Sequence, residues 1–236
     1  AALAYKRLGI PSPPVECMLT SIQNMNHHIN TSYGTAEFTL NSKNELIPFQ
    51  GSLQGNGASP TTWVVISTPL LNMLRGANHG GKFLSPITKE FTHLVGFAFV
   101  DDTDLISLDM TNEDITLEEV CHDIQEAIHR WEGGLKATGG AIVQKKSWVY
   151  PISPKADDRG KITYAEVEDS NINFEVRDEY NTMKPLDVFN ANVGKETLGV
   201  FLAPDGQNEA AKEEMLLKAE DWRDNIRTGH MTRNLS

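Results

Sequence analysis

The chain of 236 residues is long enough for one large domain or two small ones, and for a sizeable core. With 39% hydrophobic and 22% charged residues, its composition is that of a globular protein, which excludes disorder as the whole account. Its 32 acidic against 21 basic side chains leave a net charge of −11, the opposite of the surface an autonomous nucleic-acid binder turns toward phosphate.

The longest apolar runs, Trp63–Ile66 and Leu94–Val100, are far too short to cross a bilayer, so no membrane partner is expected. No signal peptide is visible, which gives an intracellular expectation with nucleus and cytoplasm not distinguished. The chain opens on Ala1-Ala2-Leu3 without an initiator Met and reads as a piece of something longer. Cys17 and Cys121 stand far apart with no CxxC, which points to neither a zinc knuckle nor a disulfide framework.

In chain order, Leu3–Leu8 reads as a short helix ended by Gly9. A second helix is predicted from Pro14, with Val15, Met18, Leu19, Ile22, Met25 and Ile29 at three- and four-residue steps. Ser32–Phe49 reads as a β-hairpin turning at Asn41-Ser42-Lys43-Asn44. A glycine loop over 51–58 leads to Ser59 as N-cap and Pro60 as first helical residue. The helix that follows ends at Gly76, with a kink expected at Pro69. Residues 76–89 read as a loop. Phe91–Val100 and Leu105–Leu108 then read as two strands around the acidic turn Asp101-Asp102-Thr103-Asp104. Thr116 and Glu119 form a capping box, and Val120, Ile124, Ala127, Ile128, Trp131 and Leu135 continue as an amphipathic helix up to Gly139-Gly140. Ala141–Tyr150 reads as a strand, 151–169 as a polar surface excursion, and 174–176 and 197–202 as short strands. Asn208–Ile226 reads as a charged helix with Met215, Leu216, Ala219 and Trp222 on one face.

Adjacent carboxylates at a hairpin tip repel each other, and one pKa must rise unless a cation sits between them. A Mg²⁺ ion relieves this, because it is content with one or two carboxylates plus substrate phosphates. That makes Asp101 and Asp102 candidate metal ligands for phosphoryl or nucleotidyl transfer. Taken alone, Asp-Asp reads first as an ordinary acidic turn, and only its context changes that weighting. His27-His28, placed on the second helix, point in different directions and lack a partner at ligand spacing.

Phe99-Val100-Asp101-Asp102 resembles the aromatic-x-Asp-Asp box of reverse transcriptases, their palm motif C. Upstream, Gln54-Gly55-Asn56-Gly57-Ala58-Ser59-Pro60 resembles motif B. Downstream, Gly139-Gly140 to Lys145-Lys146-Ser147 resembles motif D, and Thr197-Leu198-Gly199-Val200 resembles the Leu-Gly box of motif E. Four boxes in family order carry more than any one of them, and the wider wording is similar to retrotransposon-type reverse transcriptases.

The resemblance implies an α+β fold, an incomplete polymerase palm with an RRM- or ferredoxin-like antiparallel sheet backed by helices, followed by the start of a helical thumb. Its divisions would be 1–150 for the palm, 151–206 for the palm end with a primer-grip-like hairpin and a surface excursion, and 207–236 for the thumb. It further implies RNA-directed DNA polymerisation on two Mg²⁺ ions, with Mn²⁺ as a possible substitute. Partners would be an RNA or DNA template, its primer and deoxynucleoside triphosphates. Asp101 and Asp102 would act at the metals, and Lys146 beside the leaving pyrophosphate, a role open to Lys145 as well. Gln54, Gly55, Ser59 and Pro60 would position nucleotide and template. Leu198, Gly199 and Val200 would hold the primer. Asp104 lies past the box and reads as a solvated turn residue; Arg223, Arg227 and Arg233 lie near the thumb position.

The family's third carboxylate belongs to motif A, upstream of motif B. Ala4–Ile10 resembles the helix just after that motif, so the isolated chain is expected to lack it and to have little polymerase activity. The alternative is a degenerate, non-catalytic palm remnant of a retroelement, acting as a scaffold or persisting as a pseudogene product. A nucleotidyltransferase or cyclase on the same palm topology would not need motifs B and E.

Overall fold

The computed structural model of the chain describes residues 2–41, 57, 59–99, 102–112, 114–166, 172–178 and 180–229. It is mixed α and β, with five α-helices and a set of small, mainly antiparallel sheets among the described residues. The chain divides into two compact units, one built from 1–113 and 126–140, the other from 114–125 and 141–236. No helix among the described residues is long and apolar enough to cross a membrane.

In the first unit, α1 (Ala2–Arg7) and α2 (Ser12–Gln23) pack with α3 (Ser59–Gly76). Tyr5, Val15 and Val65 make a buried cluster with Ala4, Met18 and Leu19 against it, and the Tyr5 hydroxyl lies 3.1 Å from Thr62 Oγ1. α2 is shorter than the apolar spacing predicts. Asn24 stops it, its backbone N–H and its side-chain amide both donating to the Thr20 carbonyl. Met25 therefore lies outside the helix, while Ile29 and the histidines His27-His28 fall on β1 (His27–Thr31). β1 pairs with β2 (Gly34–Leu40), so this hairpin turns at Ser32-Tyr33 rather than at Asn41–Asn44. Thr31 Oγ1 closes that turn, accepting from Tyr33 N–H and donating to the Gly34 carbonyl. Residues 42–49 of the predicted hairpin lie outside the described residues.

α3 begins and ends where predicted and runs through Pro69. The segment read as a loop after it contains β3 (Gly81–Leu84), paired with β4 (Phe91–Leu94) and, in parallel, with β7 (Leu108–Asp109). Gly80 and Gly81 look like loop glycines, but here they allow close approach. A Cβ on Gly80 would lie 2.9 Å from Val95 Cα, and one on Gly81 2.6 Å from the Phe83 ring. The apolar run after residue 90 is two strands, β4 and β5 (Gly96–Phe99), separated by the buried Val95. β5 forms a hairpin with β6 (Asp102–Leu105).

The capping box forms as predicted at α4 (Leu117–Thr138): Glu119 N–H donates to Thr116 Oγ1, and the Glu119 carboxylate accepts from the Thr116 N–H. Within the first unit, α4 buries Ala127, Ile128, Trp131 and Leu135. A Cβ on Gly134 would come within 2.7 Å of Leu70 on α3, so the glycine lets those two helices lie close. Gly139, at φ +89°, ends α4, and Gly140 N–H donates to the Leu135 carbonyl.

In the second unit, Ala141–Tyr150 is not one strand. A 3-10 turn occupies Gln144–Lys146, held by the Gln144 side-chain amide donating to the Pro185 carbonyl; only β8 (Trp148–Val149) is strand. β8 runs parallel to β13 (Asp187–Val188). The predicted surface excursion includes a hairpin, β9 (Pro154–Ala156) with β10 (Ile162–Tyr164). β11 (Glu175–Arg177) pairs with β12 (Met183–Pro185), burying Phe174 and Val176. β14 (Lys195–Thr197) and β15 (Val200–Leu202) form a last hairpin, which packs on α5 (Glu209–Arg227). Residues 197–202, read as one strand, therefore fold back on themselves at Leu198-Gly199.

Candidate functional site

The β5–β6 hairpin pairs Phe99 with Asp102 and Phe97 with Asp104; Val100 and Asp101, between the two strands in sequence, lie outside the described residues. Cross-strand partners share a face, and side chains two apart along a strand share it too. One face of this ribbon therefore carries two phenyl rings and two carboxylates, all exposed, while Thr103 and Leu105 point to the other side and are partly buried. Thr103 Oγ1 is buried without a hydrogen-bond partner among the described residues.

Asp104 is exposed as a residue, yet its carboxyl is partly withdrawn from water. That burial first, and the charge of Asp102 second, push its pKa up. Asp104, expected as a solvated turn residue, lies instead on β6, on the same face as Asp102. The signal was present in the spacing Phe97-x-Phe99 and Asp102-x-Asp104 once a two-residue turn is assumed. Asp102 itself is the first residue of β6 rather than a turn residue. Asp101, the other expected metal ligand, lies outside the described residues, and among the described ones no group of three or more His, Cys, Asp or Glu side chains comes together as a metal site.

Of the motif B residues, Gln54 and Gly55 lie outside the described residues. Ser59 and Pro60 open α3, Ser59 half-buried and Pro60 exposed. These two and Asp102 belong to the first unit, whereas Lys146 and the Leu198–Val200 segment belong to the second. Lys146 and Lys145 are both exposed on the 3-10 turn. Its backbone is closed by Lys146 N–H donating to the Val143 carbonyl and Ser147 Oγ donating to the same oxygen.

Leu198 and Gly199 are the two turn residues of the β14–β15 hairpin, at φ +52° and +80°. Positive φ at both central positions is what a type I′ turn requires, and it is unfavourable for leucine. The leucine side chain is nonetheless displayed rather than buried, 56% exposed, with Val200 and Leu202 exposed along the same strand. No known protein family, curated protein or solved structure matches the chain.

Proposed function

We propose that the chain is the palm and early thumb portion of a retroelement-type RNA-directed DNA polymerase. The observation that carries this reading is the β5–β6 hairpin, which presents Asp102 at a strand end, across from Phe99 and next in sequence to Asp101. Three supports stand beside it: the helix opening at Ser59-Pro60, the exposed lysines of the 144–146 turn, and the hairpin displaying Leu198.

A hard divalent ion would take oxygen ligands from this acidic hairpin. Asp102 and Asp104 offer carboxylate oxygens on one exposed face; burial first and the charge of Asp102 second raise the Asp104 pKa, and a cation would relieve the second of these. Asp101 and Asp102 would hold Mg²⁺, or Mn²⁺ in its place, which when bound neutralises charge on the triphosphate and lowers the pKa of the primer 3′-hydroxyl. Gln54, Gly55, Ser59 and Pro60 would seat the templating base and incoming nucleotide against the start of α3. Lys146 would place a positive charge beside the departing pyrophosphate. Leu198, Gly199 and Val200 would bear on the primer strand and hold its 3′ end in line.

A degenerate palm remnant is the second reading. Primer extension on an RNA template with Mg²⁺ separates the two, using the chain alone and the chain joined to a palm segment carrying a motif A aspartate. The polymerase reading expects extension by the joined protein and its loss in Asp101→Asn. Two folded proteins that both fail to extend the primer would establish the remnant.

A further inference from the structure

The β14–β15 hairpin is a two-stranded ribbon with three residues per strand, a size that is marginal on its own in water. Its base is gripped from two directions. Tyr150, the residue after β8, donates its hydroxyl to the Val193 carbonyl at 2.8 Å, two residues before β14 begins. Lys195, the first residue of β14, sets its ammonium 3.9 Å from the centre of the Phe189 ring. Phe189 is held in turn, its N–H donating to the Val149 carbonyl at 3.0 Å and its ring tilted against Tyr150 with centroids 6.2 Å apart. The Tyr150 side chain is half-buried, and burial pushes its pKa up, so the hydroxyl stays a donor across the neutral range. From the other direction, Gly194 lies so close to α5 that a Cβ there would meet Ala210 Cβ at 2.6 Å.

We propose that Tyr150, Phe189 and Lys195 form a brace that locks the β14–β15 hairpin to the β8–β13 strand pair, so that Leu198 at its tip is presented in one fixed orientation. These are positioning residues: they reach the tip through the backbone of Val193–Thr197 and touch no substrate themselves. That the tip meets a primer strand rests on the reading above; the brace does not.

Hydrogen exchange on the full chain tests it, following the amides of 195–202 with those of β11 and β12 as the internal control. Tyr150→Phe and Lys195→Met each remove one arm of the brace, and each is expected to speed exchange in 195–202 by about five- to tenfold, the loss of one net hydrogen bond or comparable contact. The β11–β12 amides should be unchanged, and Lys195→Arg, which keeps a cation over the ring, should restore protection. Unchanged exchange in both variants, or equal loss in the control strands, overturns the brace. Binding of a labelled RNA–DNA primer–template duplex, measured in parallel, keeps the two ideas apart. Local loss of protection in a chain that never binds duplex upholds the brace and counts against the polymerase reading. Duplex binding that survives with protection unchanged does the reverse.

Discussion

Phe99 and Asp102 face each other across the last rung of the β5–β6 hairpin, and beyond the intervening Ala98–Thr103 rung the pairing repeats with Phe97 and Asp104. Cross-strand partners share a face and side chains alternate along each strand, so the register fixes the faces of both strands at once. Both carboxylates are thereby committed to one face, beside two rings that cannot neutralise them. The ribbon carries an electrostatic cost that an apolar or singly charged hairpin would not have.

That cost predicts a pH dependence. The pKa of Asp104 is raised in the folded protein, so its contribution to stability is fully present below the ordinary value of 3.8 and is lost as pH rises through the folded value. Asp104→Asn is therefore expected to raise the melting temperature at pH 7, and the difference should vanish below about pH 3.8. Thermal melts of the two proteins between pH 3 and pH 8 check this. A variant less stable at neutral pH would mean that the Asp104 carboxylate is stabilised by a partner.

The parts of this architecture that were legible in the sequence are those decided by local chemistry. The capping box at Thr116 and Glu119, the apolar stripe of α4, the bounds of α3 and the existence of the acidic hairpin each depend on residues a few positions apart. What was not legible depends on distant partners. The stretch 141–150 is bent into a 3-10 turn by Gln144 reaching Pro185, and at the start of β3 Gly80 admits the backbone of Leu94 and Val95 while Gly81 makes room for the Phe83 ring and Ile106. Ile29 continued a helical spacing only by coincidence, since Asn24 had already closed α2 and the next residues belonged to a strand. At the candidate site, Asp102 could be read from the box that contains it. The partnership with Asp104 needed the register, and the strain at Leu198 needed the backbone.

Lys82 and Asp109 sit opposite each other in the parallel β3–β7 pairing, with Nζ 3.0 Å from the carboxylate. Hydrogen bonds from the Thr111 side chain and then from Lys82 hold the Asp109 pKa down at about 2. A depressed carboxylate stabilises the fold above its unfolded pKa and loses that contribution as pH falls through the folded one, so this support should fade between about pH 4 and pH 2. Asp109→Asn is expected to cost about 1 kcal/mol at pH 7, as a partly exposed charge-assisted pair does, and clearly less at pH 2, where the carboxylate is partly protonated. Urea unfolding at the two pH values provides the comparison.

Two glycine-to-alanine changes in the first unit should have opposite signs. A Cβ on Gly96 would run into the Asp104 carbonyl oxygen and lie 3.2 Å from Leu105 Cα, both backbone atoms of the paired strand. Gly96→Ala should destabilise by about 1–3 kcal/mol, because the hairpin would have to open to admit it. Gly133, in the middle of α4, has nothing within 4 Å of the same position, so Gly133→Ala should stabilise by about 0.5–1 kcal/mol through helix propensity. Equal effects in chemical denaturation would contradict the close Gly96–Leu105 pairing.

Leu198 joins the fold's strain to its proposed use. At φ +52° its side chain crowds its own backbone, a cost of roughly 1–2 kcal/mol for a branched residue that asparagine largely escapes. Because the leucine is 56% exposed, replacing it forfeits little buried surface. Leu198→Asn should therefore raise stability by about 1 kcal/mol, whereas Gly199→Ala, at φ +80°, should lower it by a similar amount. If the tip bears on a primer strand, the same Leu198→Asn protein should bind a primer–template duplex several-fold more weakly despite its higher melting temperature. A gain in stability with no change in duplex affinity would make the turn strained but not in contact with nucleic acid. A loss of stability would show instead that the leucine packs where the hairpin needs it.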